Sequence, residues 1–333
     1  MHTINKDQGF ETFLHFHGRY RKTNQGYAFY YTASGFSLAA SGTSITFTFM
    51  ASYEEDVKKP FLVISINNQK EVISLPKGLS THTREISKNA HISVLKRSES
   101  LMSRTEIISI VTDGIFHEQE GKKYAMALHF IGDSLTCGYG NLSDDVDLPF
   151  STEYEDGLQS YAYLASSMLN ADIDVVAVSG IGIYKSIYAS VSMPYIYEQH
   201  DIYDYTPFPF NKKFDVIILN LGTNDNMYLR YLVEPTLVHE SSQLLNTYKR
   251  FIKRLKDIHQ DSIIVVISQG SRQEFVDEII EKTVNELNDN QVYHLRLSNI
   301  ESSDGMGQQY HPTIKTHNKW SIELKAFIEM IRK

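Results

Sequence analysis

A serine directly follows a buried apolar run in residues 130–140, which read FIGDSLTCGYG. Gly132 permits a tight turn after a strand, and such a turn lifts the Ser134 hydroxyl to the carboxyl end of a sheet, where open parallel sheets place their ligands. A serine hydroxyl is a weak nucleophile and needs a base within hydrogen-bond reach. The segment taken alone also fits an ordinary strand-to-helix turn, with Ser134 capping the helix.

Two later segments could donate hydrogen bonds to a negatively charged oxygen. Gly180 lies in SGIGIY, after the second apolar run, and Asn224 lies in LGTND, after the third. An asparagine amide and a glycine main-chain N–H can together stabilise a developing oxyanion, which is usually the largest single catalytic contribution. Each segment alone is a common turn sequence, so the interpretation depends on finding them together.

A candidate base lies near the end of the sequence. His311 is followed by Pro312 and by a predicted helix, and from there it could reach back to Ser134 as a general base. His317 lies six residues further on, whereas helical zinc-binding pairs are normally four residues apart. Since we see no acidic third ligand nearby, we predict no metal and no other cofactor.

Cys137 is the single cysteine of the chain, so an intrachain disulfide and a multi-cysteine zinc site are excluded. No basic residue flanks it to lower its pKa, and we interpret it as a small buried residue. Asp133 and Asp225, which adjoin the candidate site residues, are interpreted as structural groups that hold turns.

The elements that position these residues begin with short β-type runs in the first 120 residues. Phe, Tyr, Thr, Ile and Val alternate with polar residues, and no long amphipathic helix intervenes. In Ser44–Phe49 the alternation puts Ile45, Phe47 and Phe49 on one buried face. The pattern predicts an antiparallel, jelly-roll-like β-sandwich over residues 1–120. The predicted strands are Tyr27–Thr32, Ser44–Met50, Phe61–Ile66, Glu71–Leu75 and Thr105–Thr112.

After a polar break at His117–Lys123, apolar runs alternate with helical stretches over residues 124–333. This alternation predicts a three-layer α/β/α domain around a parallel sheet with right-handed crossovers. The aromatic segment Met193–Phe210 is predicted to be an ordered, irregular loop. The predicted strands are Ala125–Ile131, Ile173–Val178, Val216–Leu221, Ile263–Ile267 and Val292–Leu297. The predicted helices are Leu244–Ile258, Glu274–Leu287 and Ile314–Ile331.

Composition excludes several classes of function. The chain has 333 residues and a formal net charge of −8, which argues against a nucleic-acid surface, since that needs clustered Lys and Arg. No run approaches the roughly 20 apolar residues of a membrane span. The first residues lack the apolar core of a signal peptide, so a cytoplasmic location is expected, with secretion as the alternative if a leader has been removed. Oligomeric state is not encoded in any recognisable pattern.

Taken in order, the segments GDSLTCGYG, SGIGIY, LGTND and HP resemble the four signature blocks of the SGNH/GDSL hydrolases. The resemblance implies that Ser134 is the nucleophile and His311 its base. It also implies an oxyanion hole formed by the main-chain N–H groups of Ser134 and Gly180 and by the Asn224 side chain. The expected activity is hydrolysis of carboxylic esters.

One position departs from the family pattern, because Gln308 stands where members commonly carry an aspartate that orients the histidine. Two alternatives remain. Ser134 and His311 form a dyad, with the imidazole held by a main-chain carbonyl or by an amide such as that of Gln308, or Asp304 substitutes for the aspartate. The departure and the N-terminal sandwich together resemble carbohydrate esterase family 2, whose members typically remove O-acetyl groups from polysaccharides.

The resemblance implies an acetylated oligo- or polysaccharide substrate, and with it a candidate glycan-contacting role for the sandwich of residues 1–120. Tyrosine rings can stack on the apolar faces of sugars, and Tyr184, Tyr195, Tyr197 and Tyr228 are candidates. Packing between the domains is the alternative role for each of them. Two other functions stay open: a short-chain lipid esterase or thioesterase, and an inactive glycan-binding relative.

Overall fold

The computed structural model describes residues 1–118, 123–269 and 274–333. Within the described N-terminal residues there are twelve strands, one short α-helix and a single 3-10 turn at Asp56–Lys58. In chain order the strands and the α-helix are β1 (His2–Asn5), α1 (Phe10–Phe13), β2 (His15–His17), β3 (Tyr20–Lys22), β4 (Tyr27–Phe29), β5 (Gly35–Ser41), β6 (Ser44–Ser52), β7 (Phe61–Ile66), β8 (Gln69–Ser74), β9 (Gly78–Glu85), β10 (Ala90–Lys96), β11 (Arg104–Thr112) and β12 (Ile115–His117).

These strands form two antiparallel sheets that pack face to face. One sheet has the order β3-β4-β11-β6-β9, with β1 also paired to β11, and the other has the order β12-β5-β10-β7-β8, with β2 also paired to β5. The alternation in β6 buries Ile45, Phe47 and Phe49 completely, and they share one core with Phe36 and Leu62 of the second sheet. The predicted β-sandwich is therefore confirmed.

The described residues of the C-terminal part alternate strands with helices. In chain order they form β13 (Met126–Gly132), α2 (Ser134–Cys137), α3 (Tyr161–Met168), β14 (Ala171–Ala177), α4 (Met193–Tyr197), β15 (Gln199–Asp201), β16 (Asp204–Pro207), β17 (Val216–Asn220), α5 (Thr223–Leu229), α6 (Thr236–Ile258), β18 (Ile263–Ser268), α7 (Glu274–Leu287), β19 (Val292–Arg296) and α8 (Ile314–Ile331). Five strands form a parallel sheet in the order β14-β13-β17-β18-β19.

Helices cover both faces of this parallel sheet. Phe130 packs with Tyr161 of α3 and Trp320 of α8, whereas its neighbour Ile131 packs on the opposite face with Phe251 of α6. The sequence of a strand that is buried on both faces is a continuous run of apolar residues. These strands could therefore be recognised in the sequence. The predicted three-layer α/β/α arrangement is confirmed.

The aromatic segment from Met193 to Phe210 is more regular than we predicted. It contains α4 and a hairpin of β15 and β16. Pro194 occupies the first turn of α4, where its missing N–H leaves no intrahelical bond unmade. The prediction of an irregular loop was therefore wrong for most of this segment.

The sandwich and the parallel sheet are packed tightly against each other. Arg19 is buried and lies 4.2 Å from the ring centre of Phe208, and Arg21 lies 2.6 Å from Asp204. Tyr31 belongs to the same apolar cluster as residues of α6. The predicted domain limits at 120 and 124 stay a prediction, because residues 119–122 lie outside the described residues. Of the described helices, none is both long and apolar enough to cross a bilayer.

Candidate active site

Three neighbouring strands end side by side and bring the predicted site segments to one edge of the sheet. Gly132 at the end of β13 pairs with Ala177 of β14 and with Asn220 of β17. Ser134, Gly180 and Asn224 each follow one of these ends within four residues. Parallel register thus positions segments that are far apart in the sequence, as the strand-end argument predicts.

The Ser134 hydroxyl meets an imidazole. Its Oγ lies 2.9 Å from Nε2 of His311, and Ser134 opens α2 with Asp133 as the N-cap, whose carboxylate accepts from the main-chain N–H of Leu135 at 3.0 Å. A Cβ added to Gly132 would lie 2.0 Å from Oγ1 of Thr136, so this tight turn requires glycine. Asp133 therefore shapes the turn, as predicted.

The imidazole of His311 is oriented by the main chain. Its Nδ1 lies 3.2 Å from the carbonyl oxygen of Gln309. Gln309 and Tyr310 have φ of 49° and 62°, in the left-handed region that costs non-glycine residues about 1–2 kcal/mol each. This strained turn is held in place because the N–H groups of Gln308 and Gln309 donate to the carbonyls of Gly140 and Val146, at 3.1 and 3.0 Å.

The two side chains that we considered as orienting groups are used elsewhere. The amide of Gln308 donates to the carbonyl of Pro149. Asp304 accepts from the main-chain N–H of Glu301 at 2.9 Å in a capping box and lies 3.7 Å from Lys319. Neither side chain therefore faces the imidazole in the contacts described, and of the predicted alternatives it is a main-chain carbonyl, that of Gln309, that lies at Nδ1.

Tyr139 also positions His311, and sequence reasoning missed it. Its ring centre lies 4.4 Å from that of His311, and its hydroxyl donates to Oε1 of Gln309 at 2.7 Å. Tyr139 thus contacts both the imidazole and the residue whose carbonyl faces Nδ1. Its place five residues after Ser134, in the same motif, was the available signal.

The Asn224 amide lies beside the residue that precedes Ser134. Its Nδ2 is 2.9 Å from the carbonyl of Ile181 and 3.2 Å from Oδ2 of Asp133. Gly180 has φ of 78°, and a Cβ there would lie 2.9 Å from Cβ of Tyr188. Both the backbone conformation and the close neighbour therefore require glycine at position 180.

Asp225 fixes the loop that follows Gly180. Its carboxylate accepts from the main-chain N–H groups of Ile183, Tyr184 and Lys185 at 2.8 to 2.9 Å. Burial raises its pKa to about 6, although these three hydrogen bonds oppose the rise. The loop cannot move without losing these bonds, so the structural interpretation of Asp225 agrees with its contacts.

Glu99, which sequence reasoning did not single out, extends from the sandwich to the candidate site. Its Oε2 accepts from the N–H of Ser179 at 2.7 Å and from the thiol of Cys137 at 3.6 Å. Oε1 of Glu155 accepts the main-chain N–H of Glu99 at 2.6 Å. Glu99 therefore contacts both the residue before Gly180 and the helix that begins at Ser134.

Cys137 is buried, and burial followed by the nearby Glu99 raises the pKa of its thiol well above the usual value. A protonated buried thiol is a poor nucleophile. Its interpretation as a small buried residue agrees with this environment.

The predicted substrate-contacting tyrosines divide into two groups. Tyr197 is completely buried, and its hydroxyl lies 2.8 Å from Nε2 of His259, so the prediction that it contacts substrate was wrong. Tyr184 and Tyr228 flank Lys185, whose Nζ lies 4.9 and 5.1 Å from their ring centres. Tyr195 is exposed, and the roles of these three stay predictions.

His317 contacts the first residue of α3. It is buried, and its Nδ1 accepts from the main-chain N–H of Tyr161 at 3.2 Å. Among the described residues, His15, His17 and Asp172 do cluster in a way that could hold an ion. They lie on β2 and β14, away from this edge of the sheet.

The model of the GDSL-like lipase/acylhydrolase family matches residues 130–321, which include Ser134, Gly180, Asn224 and His311. The chain belongs to this family. The SGNH/GDSL resemblance of its four motifs is thereby confirmed.

Relatives of this GDSL protein include the cellulase/esterase CelE of Acetivibrio thermocellus, which is 25% identical over 90% of this chain and 36% of its own length. An acetylxylan esterase / glucomannan deacetylase of Cellvibrio japonicus is 26% identical over 60% of this chain and 56% of its own length. The chain thus spans about a third of the length of CelE and just over half of the length of the Cellvibrio protein. A family two carbohydrate esterase from Clostridium thermocellum, solved with cellohexaose, has the same fold, with a TM-score of 0.85, 22% identity, and coverage of 95% of this chain and 98% of that chain.

Proposed function

We propose that this protein is a serine esterase that removes O-acetyl or other short acyl groups from oligo- or polysaccharides. The observation that carries the proposal is the 2.9 Å contact between Ser134 Oγ and His311 Nε2, at the edge of the sheet where the Gly180 and Asn224 segments meet. The name of the Cellvibrio japonicus relative, acetylxylan esterase / glucomannan deacetylase, supports a carbohydrate ester as the substrate.

In the first half of the reaction, His311 Nε2 takes the proton as Ser134 Oγ attacks the ester carbonyl. Nδ1 keeps its hydrogen and donates it to the Gln309 carbonyl, which fixes the required tautomer. The tetrahedral intermediate collapses, the bond to the sugar oxygen breaks, and His311 returns the proton to the leaving hydroxyl. The acyl group remains on Ser134 as an ester.

In the second half, His311 takes a proton from water, whose oxygen attacks the acyl-enzyme carbonyl. Collapse breaks the bond to Ser134 Oγ, which regains its proton, and releases the carboxylic acid. Both tetrahedral intermediates place a negative oxygen between the N–H groups of Ser134, Gly180 and Asn224. The side-chain Nδ2 of Asn224 donates to Oδ2 of Asp133 at 3.2 Å. In the intermediate this N–H donates to the oxyanion instead.

Hydrolysis of p-nitrophenyl acetate, butyrate and octanoate by the wild type and by Ser134→Ala tests this proposal. Ser74→Ala, an exposed serine on the sandwich, is the matched control. We expect turnover of the short esters, abolished by Ser134→Ala alone, and release of acetate from acetylated xylan or glucomannan. Activity that survives Ser134→Ala would refute the nucleophile, and a preference for octanoate would favour a lipid ester instead.

A further inference from the structure

We infer that His15, His17 and Asp172 form a binding site for one transition-metal ion at the junction of the two domains. One donor atom from each side chain lies within 4.8 Å of the other two. The inference is independent of the proposed esterase activity, since none of the three residues contacts Ser134 or His311 in the contacts described above.

The two histidines are directed to one side by the strand that carries them. His15 and His17 are two residues apart on β2, so their side chains share a face, and their ring centres are 4.8 Å apart. Asp172 reaches the same place from β14 of the parallel sheet, with its Oδ1 4.0 Å from Nδ1 of His17. The ligand set therefore combines both domains.

Two donor atoms at this place are buried and lack a hydrogen-bond partner. Nε2 of His15 and Oδ1 of Asp172 have no hydrogen-bond partner among the described contacts, although both are shielded from solvent. Buried polar atoms without partners are uncommon and costly. A bound ion would satisfy both at once.

The remaining atoms of the ligands are already held, as they are in established metal sites. Nε2 of His17 lies 3.1 Å from Oγ of Ser37, which leaves Nδ1 for the ion. Oδ2 of Asp172 lies 2.9 Å from Nζ of Lys212, which leaves Oδ1. Ser37 thus fixes the ring of His17, and Lys212 fixes the carboxylate of Asp172. Lys212 also balances the charge of this carboxylate, which would bind the ion through a single oxygen.

The chemistry of the set selects the kind of ion. Two imidazoles and one carboxylate suit Zn²⁺, Co²⁺, Ni²⁺ or Cu²⁺, whereas Mg²⁺ and Ca²⁺ prefer oxygen ligands alone. Bonds of about 2.0–2.2 Å require the donors to approach by about 1 Å, which small side-chain rotations can supply. His17 and Asp172 line a cavity of about 210 Å³, which has room for water to complete the coordination.

The test uses the full chain, stripped of metal with EDTA and dialysed. Zn²⁺ is titrated by calorimetry, and Co²⁺ is followed by its visible absorption and by paramagnetic broadening of the His15 and His17 ring protons in NMR spectra of the wild type. We expect one ion per chain, a melting temperature that rises with Zn²⁺ concentration, and loss of binding in His15→Gln and Asp172→Asn.

His91→Gln, on the exposed side of β10, and His311→Ala are the controls and should bind as the wild type does. Undiminished binding in either His15→Gln or Asp172→Asn would overturn the site, as would the absence of saturable binding by the wild type. Loss of binding in His311→Ala would instead place the ion beside Ser134 and His311, and would also overturn the proposed site. The wild-type NMR measurement decides the question even if a variant fails to fold.

Discussion

Nδ1 of His311 lies 3.2 Å from the carbonyl oxygen of Gln309, two residues earlier in the chain. In a serine triad the corresponding group is a carboxylate, which fixes the tautomer and also stabilises the imidazolium. A neutral carbonyl fixes the tautomer but supplies only a dipole. The strained turn at Gln309 and Tyr310 is thus the means by which this chain orients its histidine without a charge.

Asp304→Asn should leave kcat for p-nitrophenyl acetate within about two-fold of the wild type, because the side chain of Asp304 caps a short turn and faces Lys319. Loss of a triad carboxylate typically lowers kcat by about 10⁴. Steady-state kinetics with His311→Ala as the inactive reference would decide. A fall of a thousand-fold or more in Asp304→Asn would show that this carboxylate acts on His311.

Replacing Tyr139 should separate its two contacts. Tyr139→Phe keeps the ring against His311 and loses only the hydroxyl bond to Gln309, so we expect a fall in kcat of a few-fold. Tyr139→Ala also removes the packing, and since misplacement by about 1 Å can cost about 100-fold, we expect a fall of about 10- to 100-fold. Tyr163→Phe, on α3, is the control. Equal effects of the two Tyr139 variants would contradict a positioning role for the ring.

Asn224→Ala should lower kcat by about 100- to 1,000-fold with little change in KM, as expected when one oxyanion donor is removed. The side chain is buried and also bonds to the carbonyl of Ile181, so a melting curve must accompany the kinetics. Asn318→Ala, an exposed position on α8, is the matched control. A change confined to KM would mean that Asn224 binds substrate without stabilising the transition state.

Glu99 should affect turnover from the other domain. In Glu99→Ala the N–H of Ser179 loses its acceptor, and Gly180 is the next residue, so we expect kcat to fall about 10-fold or more while KM changes little. Glu99→Gln retains an oxygen acceptor and should recover part of the loss. Tyr30→Phe removes a different bond between the domains, to Asp204, and should leave kcat unchanged. An equal fall in kcat in Tyr30→Phe would mean that Glu99 acts only by holding the two domains together.

His259 should make the fold less stable in mild acid. Burial, aided by the nearby His129 and Arg19, lowers its pKa to about 4, whereas an unfolded histidine titrates near 6.5. Between these values the unfolded chain binds a proton that the folded chain does not, so stability falls as the pH falls from 6.5 to 4.

Thermal melts over that pH range should show a shallower decline for His259→Gln than for the wild type. Other buried histidines preserve part of the decline. The exposed His91→Gln variant should follow the wild type, and an unchanged slope in His259→Gln would contradict the assignment.

The elements that could be predicted from the sequence are those whose burial leaves a periodic trace. Phe61–Ile66 and Ile314–Ile331 have the bounds that the alternation and the helical repeat predict. Helix α6, by contrast, begins at Thr236, eight residues before the predicted start, because its first two turns are largely polar and carry no clear apolar repeat. Periodicity detects a helix only where the helix is packed.

The candidate site divides in the same way. Ser134, Gly180 and Asn224 follow strand ends, and these three residues and His311 carry recognisable motifs. What orients His311 could not be read, because it depends on two left-handed residues whose conformation is set by bonds to Gly140 and Val146. Glu99 was hidden for another reason: it acts 80 residues along the chain, on Ser179, and a charged loop such as KRSES looks like any solvated turn.

Tyr31 of the sandwich is completely buried in the core that packs under α6, and Ala33 is buried in the core on the other face of the parallel sheet. Cutting the chain between its halves would therefore expose apolar surface on both pieces. We therefore expect the hydrolase domain to be unstable when it is expressed without the sandwich. A fusion or domain exchange should keep both domains together and attach any added partner outside them.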